Sequence, residues 1–408
     1  MKPFFQVKTP QEIFELIQGF PLLPGERVLL SEGMNRVLSE DIFSPEDLPH
    51  FPRATMDGYA VRARDTFGAS EAVPALLTLS GEIAMGQDVK APVEPGHCFH
   101  IATGGMVPPG ADAVVMIEHT QQLNSKIIEI FKSVSPLDYV IQVGEDIKKS
   151  ETVLVAGQRL RPQDLGLLAG LGVIDIPVYR QPKVAIISTG DEIVPVEEQP
   201  LPGFIRDINA ITLQALTAES GARLKFFGRA QDKFEDLKAL CKKGLDQTDM
   251  VLISGGSSVG VRDHTLEVIQ GFPGSKILAH GISISPGKPT ILARVGDKII
   301  WGLPGHTVSA MIVFALFVNP CLKHLEGEKI GRQIPGVKAR LTRNIASAQG
   351  REEYIRVALE KGEMGWEAVP VLGKSGLIST MVRADGIIRI DQNCEGLEKG
   401  EWVEVVLF

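Results

Sequence analysis

From Lys183 onward the chain alternates apolar runs with helical patterns, and this alternation restricts the fold more than any other feature. Apolar runs at 184–187, 224–227 and 250–253 are separated by helix patterns at 210–220, 232–245 and 264–270. Such alternation predicts a mostly parallel sheet with helices on both faces, and sheets of that kind bind ligands beyond the carboxyl ends of their strands. Three loops fall at those ends: Ser188-Thr189-Gly190-Asp191-Glu192, Ser254-Gly255-Gly256-Ser257-Ser258-Val259-Gly260-Val261-Arg262-Asp263, and, after the strand pattern at 298–301, Gly302-Leu303-Pro304-Gly305-His306-Thr307. The second is the most informative. A strand that ends in glycine and serine before a helix leaves backbone N–H groups free to face phosphate or a similar oxyanion. Asp263 would repel a bare anion there, so it points to a divalent cation shared between protein and phosphate. The same residues also fit an ordinary strand-to-helix loop.

Thr9-Pro10-Gln11-Glu12 reads as a capping box with proline at the first helical position, so the chain is expected to open with a helix. Residues 44–143 are short strand patterns punctuated by Pro and Gly, a β-rich unit inserted into the chain. After Arg161-Pro162 the pattern at 163–172 predicts a helix that returns next to the first one. The alternation in 401–408 reads as a half-buried strand of a small C-terminal β domain. The expected fold is thus multidomain α/β plus β. A helical linking domain takes in 1–43 plus 144–180, the β-rich insertion 44–143, the central α/β domain 181–328 and the C-terminal β domain 329–408.

With 408 residues and 44% hydrophobic content, the chain can bury more than one core. A net charge of −8 argues against nucleic acid or an anionic membrane as the main partner. Cys98, Cys241, Cys321 and Cys394 are widely spaced, as expected of reduced thiols rather than a disulfide framework or structural zinc. The N-terminus lacks a signal-peptide pattern, and the apolar run at 310–318 is short of the ~18 residues of a membrane span, so a cytoplasmic protein is expected. His97-Cys98-Phe99-His100 reads as a short strand with alternating burial rather than as a metal site. No Ser-His-Asp order, dinucleotide fingerprint or Walker sequence is present, which argues against nucleoside-triphosphate hydrolysis by that route.

Ordered motifs along nearly the whole chain carry a family resemblance. They are Thr55-Met56-Asp57-Gly58-Tyr59-Ala60-Val61-Arg62, Ile101-Ala102-Thr103-Gly104-Gly105, Gly144-Glu145-Asp146, Ser188 to Glu192, Asp207-Ile208-Asn209, Ser254 to Asp263, Pro286-Gly287-Lys288-Pro289, Gly302 to Gly305, Gly350-Arg351-Glu352-Glu353-Tyr354-Ile355-Arg356 and Ser375-Gly376. In this order they resemble the MoeA family of molybdopterin molybdenumtransferases, which includes the E domain of gephyrin. The resemblance implies a central domain of the molybdopterin-binding type. It also implies insertion of molybdate into adenylated molybdopterin, with magnesium-dependent release of AMP, by a homodimer whose cleft is lined by both subunits. An upstream adenylyltransferase would supply the pterin.

Carried over residue by residue, the resemblance makes Asp232 and Asp263 the magnesium-holding carboxylates. Asp57, Thr103, Asp146, Glu192 and Asp263 become the catalytic set. Ser254, Gly255, Gly256, Ser257, Ser258 and Gly260 would cradle phosphate, with Pro304 and Gly305 beside them. Lys288, Ser309, Arg351, Arg356 and Ser375 would receive pterin phosphate or molybdate, all being hydrogen-bond donors. Plainer roles compete at several of these positions. Asp232 before Lys233-Phe234-Glu235 also fits a helix N-cap, Asp57-Gly58 a turn, Glu192 a solvated loop, and Lys288 and Arg356 ordinary surface cations.

The chain departs from the family pattern where anions should bind. Ile141-Gln142-Val143 stand where arginines are usual, Ser285 where lysine is usual, and His306-Thr307 where Asn-Pro is expected. Each lost charge-assisted hydrogen bond is worth ~1.5 to 3 kcal/mol, so weaker binding of molybdate or pterin is expected. Two further readings stay open at this stage: a non-catalytic molybdopterin-binding or scaffold protein, and adenylyl transfer to molybdopterin.

Overall fold

A computed structural model describes residues 7–255, 264–329 and 336–408. Its centre is a six-stranded sheet built from β1 (Lys183–Thr189), β2 (Arg223–Ala230), β3 (Met250–Ser254), β4 (Ser275–His280), β5 (Ile291–Val295) and β6 (Lys298–Leu303), in the spatial order β2-β1-β3-β6-β5-β4. The β2-β1, β1-β3 and β3-β6 pairs are parallel; β6-β5 and β5-β4 are antiparallel. Parallel strands buried on both faces read as unbroken apolar runs, as the sequence does here. Successive residues serve opposite faces. Val184, Ile186, Met250, Leu252, Ile299 and Trp301 join one core, whereas Ala185, Ile187, Val251, Ile253 and Ile300 join another.

Helices cover both faces. Leu213 of α1 (Ile208–Glu219) packs into the first core, and Leu237, Cys241 and Leu245 of α2 (Phe234–Gln247), with Val268 and Ile269 of α3 (His264–Gln270), pack into the second. A continuous helix, Thr307–Leu325, fills the first face. Its 19 residues and mean hydropathy of 1.6 match a membrane span in length and composition, but 61% of that stretch is buried inside the protein. The apolar run at 310–318 is therefore the middle of a longer core helix, carrying Phe314, Phe317 and Val318 into the sheet. A wider π-helical turn at Phe314–Val318 precedes Pro320, which has no N–H to give to the regular ladder.

The opening helix, Pro10–Gln18, forms with the expected capping box: Glu12 N–H donates to Thr9 Oγ1 at 3.2 Å and Thr9 N–H to Glu12 Oε2 at 2.8 Å. Ile13, Ile17 and Phe20 pack into the central core, and Phe14 packs against Phe317 in a tilted pair with ring centroids 5.6 Å apart. The helix at Pro162–Gly170 does not return beside it. Its Leu168 packs instead with Leu38, Leu160, Ile176 and Val178, under two short antiparallel ribbons that pair Gly25–Leu29 with Asp175–Tyr179 and Ile42–Phe43 with Thr152–Leu154. The apolar pattern showed that a helix exists, but not which of two cores its face would join. Arg159 ties this platform to the end of the long helix, donating to Glu326 at 2.6 Å and Glu328 at 2.9 Å.

Residues 58–130 form a six-stranded mixed sheet in which His97–Ile101 lies between Gly58–Val61 and Ala75–Ile83. Cys98 and Ile101 of that strand are buried, but three residues apart they face opposite sides and enter different cores, so burial along the strand does not alternate as expected. At the C-terminal end the strands Val337–Leu341, Trp402–Leu407, Gly386–Ile390, Glu352–Gly362 and Gly365–Pro370 close on themselves into a small barrel. One contact matters most for the site: Ile284–Ser285 of the central unit pairs in parallel with Glu352–Glu353 of this barrel.

Phe317 is 1% exposed at the junction of opening helix, long helix and sheet. Phe317→Ala is expected to cost about 3 to 5 kcal/mol. The measurement is a urea titration followed by the fluorescence of Trp301, buried in the same cluster while Trp366 and Trp402 are exposed. An unchanged midpoint would refute this packing.

Candidate functional site

Because β1, β3 and β6 run parallel, Ser188 lies opposite Ser254 and Ser254 opposite Leu303, and their three following loops emerge at one sheet edge. Close approach there demands glycine. Gly255 has φ +105°, and a Cβ on it would lie 2.1 Å from the Thr189 carbonyl oxygen. Asn209, in the first turn of α1, joins two of the loops: its Nδ2 donates to Ser254 Oγ at 2.6 Å and to the Gly305 carbonyl at 2.8 Å. Asp207 caps the same helix through Oδ1, which accepts from Ala210 N–H at 2.9 Å.

Asp232 is not a helix cap. The N-cap position of α2 is Lys233, and Asp232 Oδ1 instead accepts the Thr189 hydroxyl at 2.7 Å, while its own N–H donates to Asp191 Oδ1 at 3.0 Å. The residue spacing suits a cap, but the hydroxyl at the end of β1 draws the carboxylate across the strand ends.

These loops, the 284–289 segment and the C-terminal barrel enclose a cleft of about 720 Å³. Of the residues singled out by sequence, Glu192, Asp232, Ser254, Gly255, Lys288, Pro304, Gly305, Ser309, Arg351 and Ser375 all line it. Gly256, Ser257, Ser258, Gly260 and Asp263 lie outside the described residues. Its carboxylates, Glu192, Asp207 and Asp232, come from the segments after β1 and β2. The 284–289 and 304–309 segments, with Arg351 and Ser375, bring cations and hydroxyls and no carboxylate. Several buried polar atoms here lack a partner among the described residues: Asp207 Oδ2, Asn209 Oδ1 and Arg351 Nε. Polar atoms left that way ordinarily await water, an ion or a ligand.

Four expected residues are not in this wall. Arg356 is 6% exposed and its Nη2 donates to the Gly373 carbonyl at 2.8 Å, so it braces the segment leading to Ser375 instead of facing the cleft. Burial holds its guanidinium below the usual arginine range. Asp57 and Thr103 pair with each other in the inserted unit. Asp57 Oδ1 accepts from Thr103 N–H at 2.7 Å and from its hydroxyl at 2.9 Å, and these bonds hold the carboxyl below its ordinary range. Asp146 is exposed on the loop after Gly144, with its N–H donated to the Leu48 carbonyl at 3.1 Å. Conversely, Arg206, Asp207, Asn209 and His306 line the cleft, although sequence reasoning assigns none of them to the site. Asp207-Ile208-Asn209 held the signal, a capping residue and an amide opening a helix directly beyond a strand-end loop.

Comparison with known proteins agrees with this architecture. Residues 8–172 match the family model "MoeA N-terminal region (domain I and II)", residues 185–324 "Probable molybdopterin binding domain", and residues 338–408 "MoeA C-terminal region (domain IV)". A molybdopterin biosynthesis protein of Methanocaldococcus jannaschii is 38% identical over 94% of this chain and 92% of its own length. The molybdopterin molybdenumtransferase of Haemophilus influenzae is 32% identical over 94% of each. Among solved structures, a molybdopterin biosynthesis MoeA protein from Pyrococcus horikoshii superimposes with a TM-score of 0.84 at 33% identity, covering 99% of this chain and 100% of that one. Matched from its opening helix to its last strand, the chain belongs to the MoeA family.

Proposed function

We propose that the chain is a molybdopterin molybdenumtransferase: it takes adenylated molybdopterin and molybdate, places molybdenum on the dithiolene and releases AMP. The observation that carries this reading is the single cleft in which an oriented carboxylate, Asp232, meets a wall of anion donors supplied by a second domain. Lys288 and Arg351 neutralise phosphate and molybdate oxygens, Ser309 adds a neutral donor, and Ser375 lines the same wall in contact with His306. Asn209 holds the Ser254 and Gly305 loops at a fixed separation, so the guest meets a preformed surface.

Magnesium fits the donor set. Of the two carboxylates assigned to it, Asp232 offers hard oxygens to the cleft and Asp263 lies outside the described residues. That suits a cation bound through one or two carboxylates, with water and substrate phosphate completing its shell. Bound there, it would neutralise the pyrophosphate, while Thr189 keeps Asp232 turned toward it. Asp57, Thr103 and Asp146 are assigned to a second copy, which completes the cleft in a homodimer working in the cytoplasm. We assign the domains to residues 1–43 plus 144–180, 44–143, 181–328 and 329–408.

Two measurements follow. With purified protein, magnesium and adenylated molybdopterin, AMP release should depend on molybdate and fall about 10²-fold in Asp232→Asn. Release that ignores both molybdate and the substitution would reject the assignment. Asp57→Ala and Asp232→Asn should each lose most AMP release alone yet recover it when co-expressed, because a mixed dimer rebuilds one intact cleft; failure to recover would place both groups in one subunit.

A further inference from the structure

His306 lines the cleft where the long helix meets the C-terminal barrel. Ser375 of the barrel grips that point twice. Its Oγ lies 2.8 Å from His306 Nδ1, and its carbonyl accepts Val308 N–H at 3.2 Å. With Nδ1 engaged, Nε2 is the ring's remaining polar atom, and the bond at Nδ1 sets whether Nε2 carries a proton. The surrounding wall is rich in donors. Lys288, Arg351 and Ser309 share it, Ser309 is 5% exposed, and Arg351 Nε is buried without a partner among the described residues. No carboxylate enters the cleft from the 284–289 or 304–309 segments. A guest there must offer several acceptor oxygens in different directions, as a tetrahedral dianion does.

We propose that the Ser375 hydroxyl donates to His306 Nδ1, fixing the tautomer that carries its proton on Nε2, and that this N–H is a recognition donor for the tetrahedral oxyanion. In the reaction proposed above, on which this inference rests, that dianion is molybdate. The donor set is this chain's own. Ser285, where the family resemblance leads one to expect lysine, lines the same cleft, so the ring supplies a donor to a wall short of one cation. His306 therefore positions the oxyanion and takes no covalent part in the reaction.

The test is equilibrium binding of molybdate to the full chain, read by metal analysis, with AMP binding and the thermal midpoint measured alongside. His306→Phe should raise the molybdate Kd about 10-fold, the equivalent of one hydrogen bond, and leave AMP binding and the midpoint unchanged. His306→Gln, whose amide N–H can stand in for Nε2–H, should restore most of that affinity. An unchanged Kd in His306→Phe overturns the inference. So does an equal loss in both variants accompanied by a lower midpoint, because the ring would then be only a structural latch between domains. Wild-type protein that neither binds molybdate nor releases AMP removes the functional reading and this inference together. Molybdate-dependent AMP release with His306→Phe unaffected removes this inference alone.

Discussion

The site depends on one short piece of backbone pairing. Ile284–Ser285 adds to the edge of the C-terminal barrel at Glu352–Glu353, and Glu352 N–H donates to the Ser283 carbonyl at 2.9 Å. Backbone ladders are directional and set in register, so this contact fixes the angle at which the barrel meets the sheet. Without it Arg351 and Ser375 would belong to a separate domain, free to move as loosely joined domains do. The Val308 N–H to Ser375 bond, at 3.2 Å, is a second anchor at the start of the long helix. Rigidity there comes from beneath, since that helix is sunk in the largest core with Phe314 and Phe317 each 1% exposed.

Local pattern made much of this legible. The central sheet could be read because buried parallel strands leave uninterrupted apolar runs. The opening helix was legible from its capping box. What the sequence did not disclose was assignment between neighbours. The helix at Pro162–Gly170 has an apolar face that either core could accept, and Asp232 has the spacing of a cap although a threonine distant in sequence claims its carboxylate. Arg356 shows the same limit. An arginine next to a conspicuous motif looks like an anion ligand, yet alternation along the strand carries it to 6% exposure against the Gly373 carbonyl, whereas Arg351 reaches the cleft. His306 went unpicked because its partner, Ser375, lies in another domain, and no spacing rule joins two such residues.

Charge sets what the cleft can hold. The chain carries a net charge of −8, and Glu192, Asp207 and Asp232 bring carboxylates into the same cavity as Lys288 and Arg351. A polyanionic guest could not approach the carboxylate-bearing loops without a counter-charge, and a bare cation would be repelled from the cationic segments. A guest that is anionic and arrives with a divalent cation satisfies both conditions, because the cation takes the carboxylates while phosphate or oxyanion oxygens take the donors.

Orphaned polar atoms lead to the same conclusion by a different route. Asp207 Oδ2, Asn209 Oδ1 and Arg351 Nε are buried without a partner among the described residues, and a buried group left wholly unmet costs about 1 to 3 kcal/mol. A core would lose such groups if packing were their only purpose, since apolar replacements of similar shape relieve that cost. Their retention at the rim of one cleft is understandable if water meets them in the free protein and ligand oxygens or protons meet them in the complex. The surplus stability that permits this comes from the two apolar layers enclosing the sheet, so the cores on either side of β1, β3 and β6 bear directly on binding.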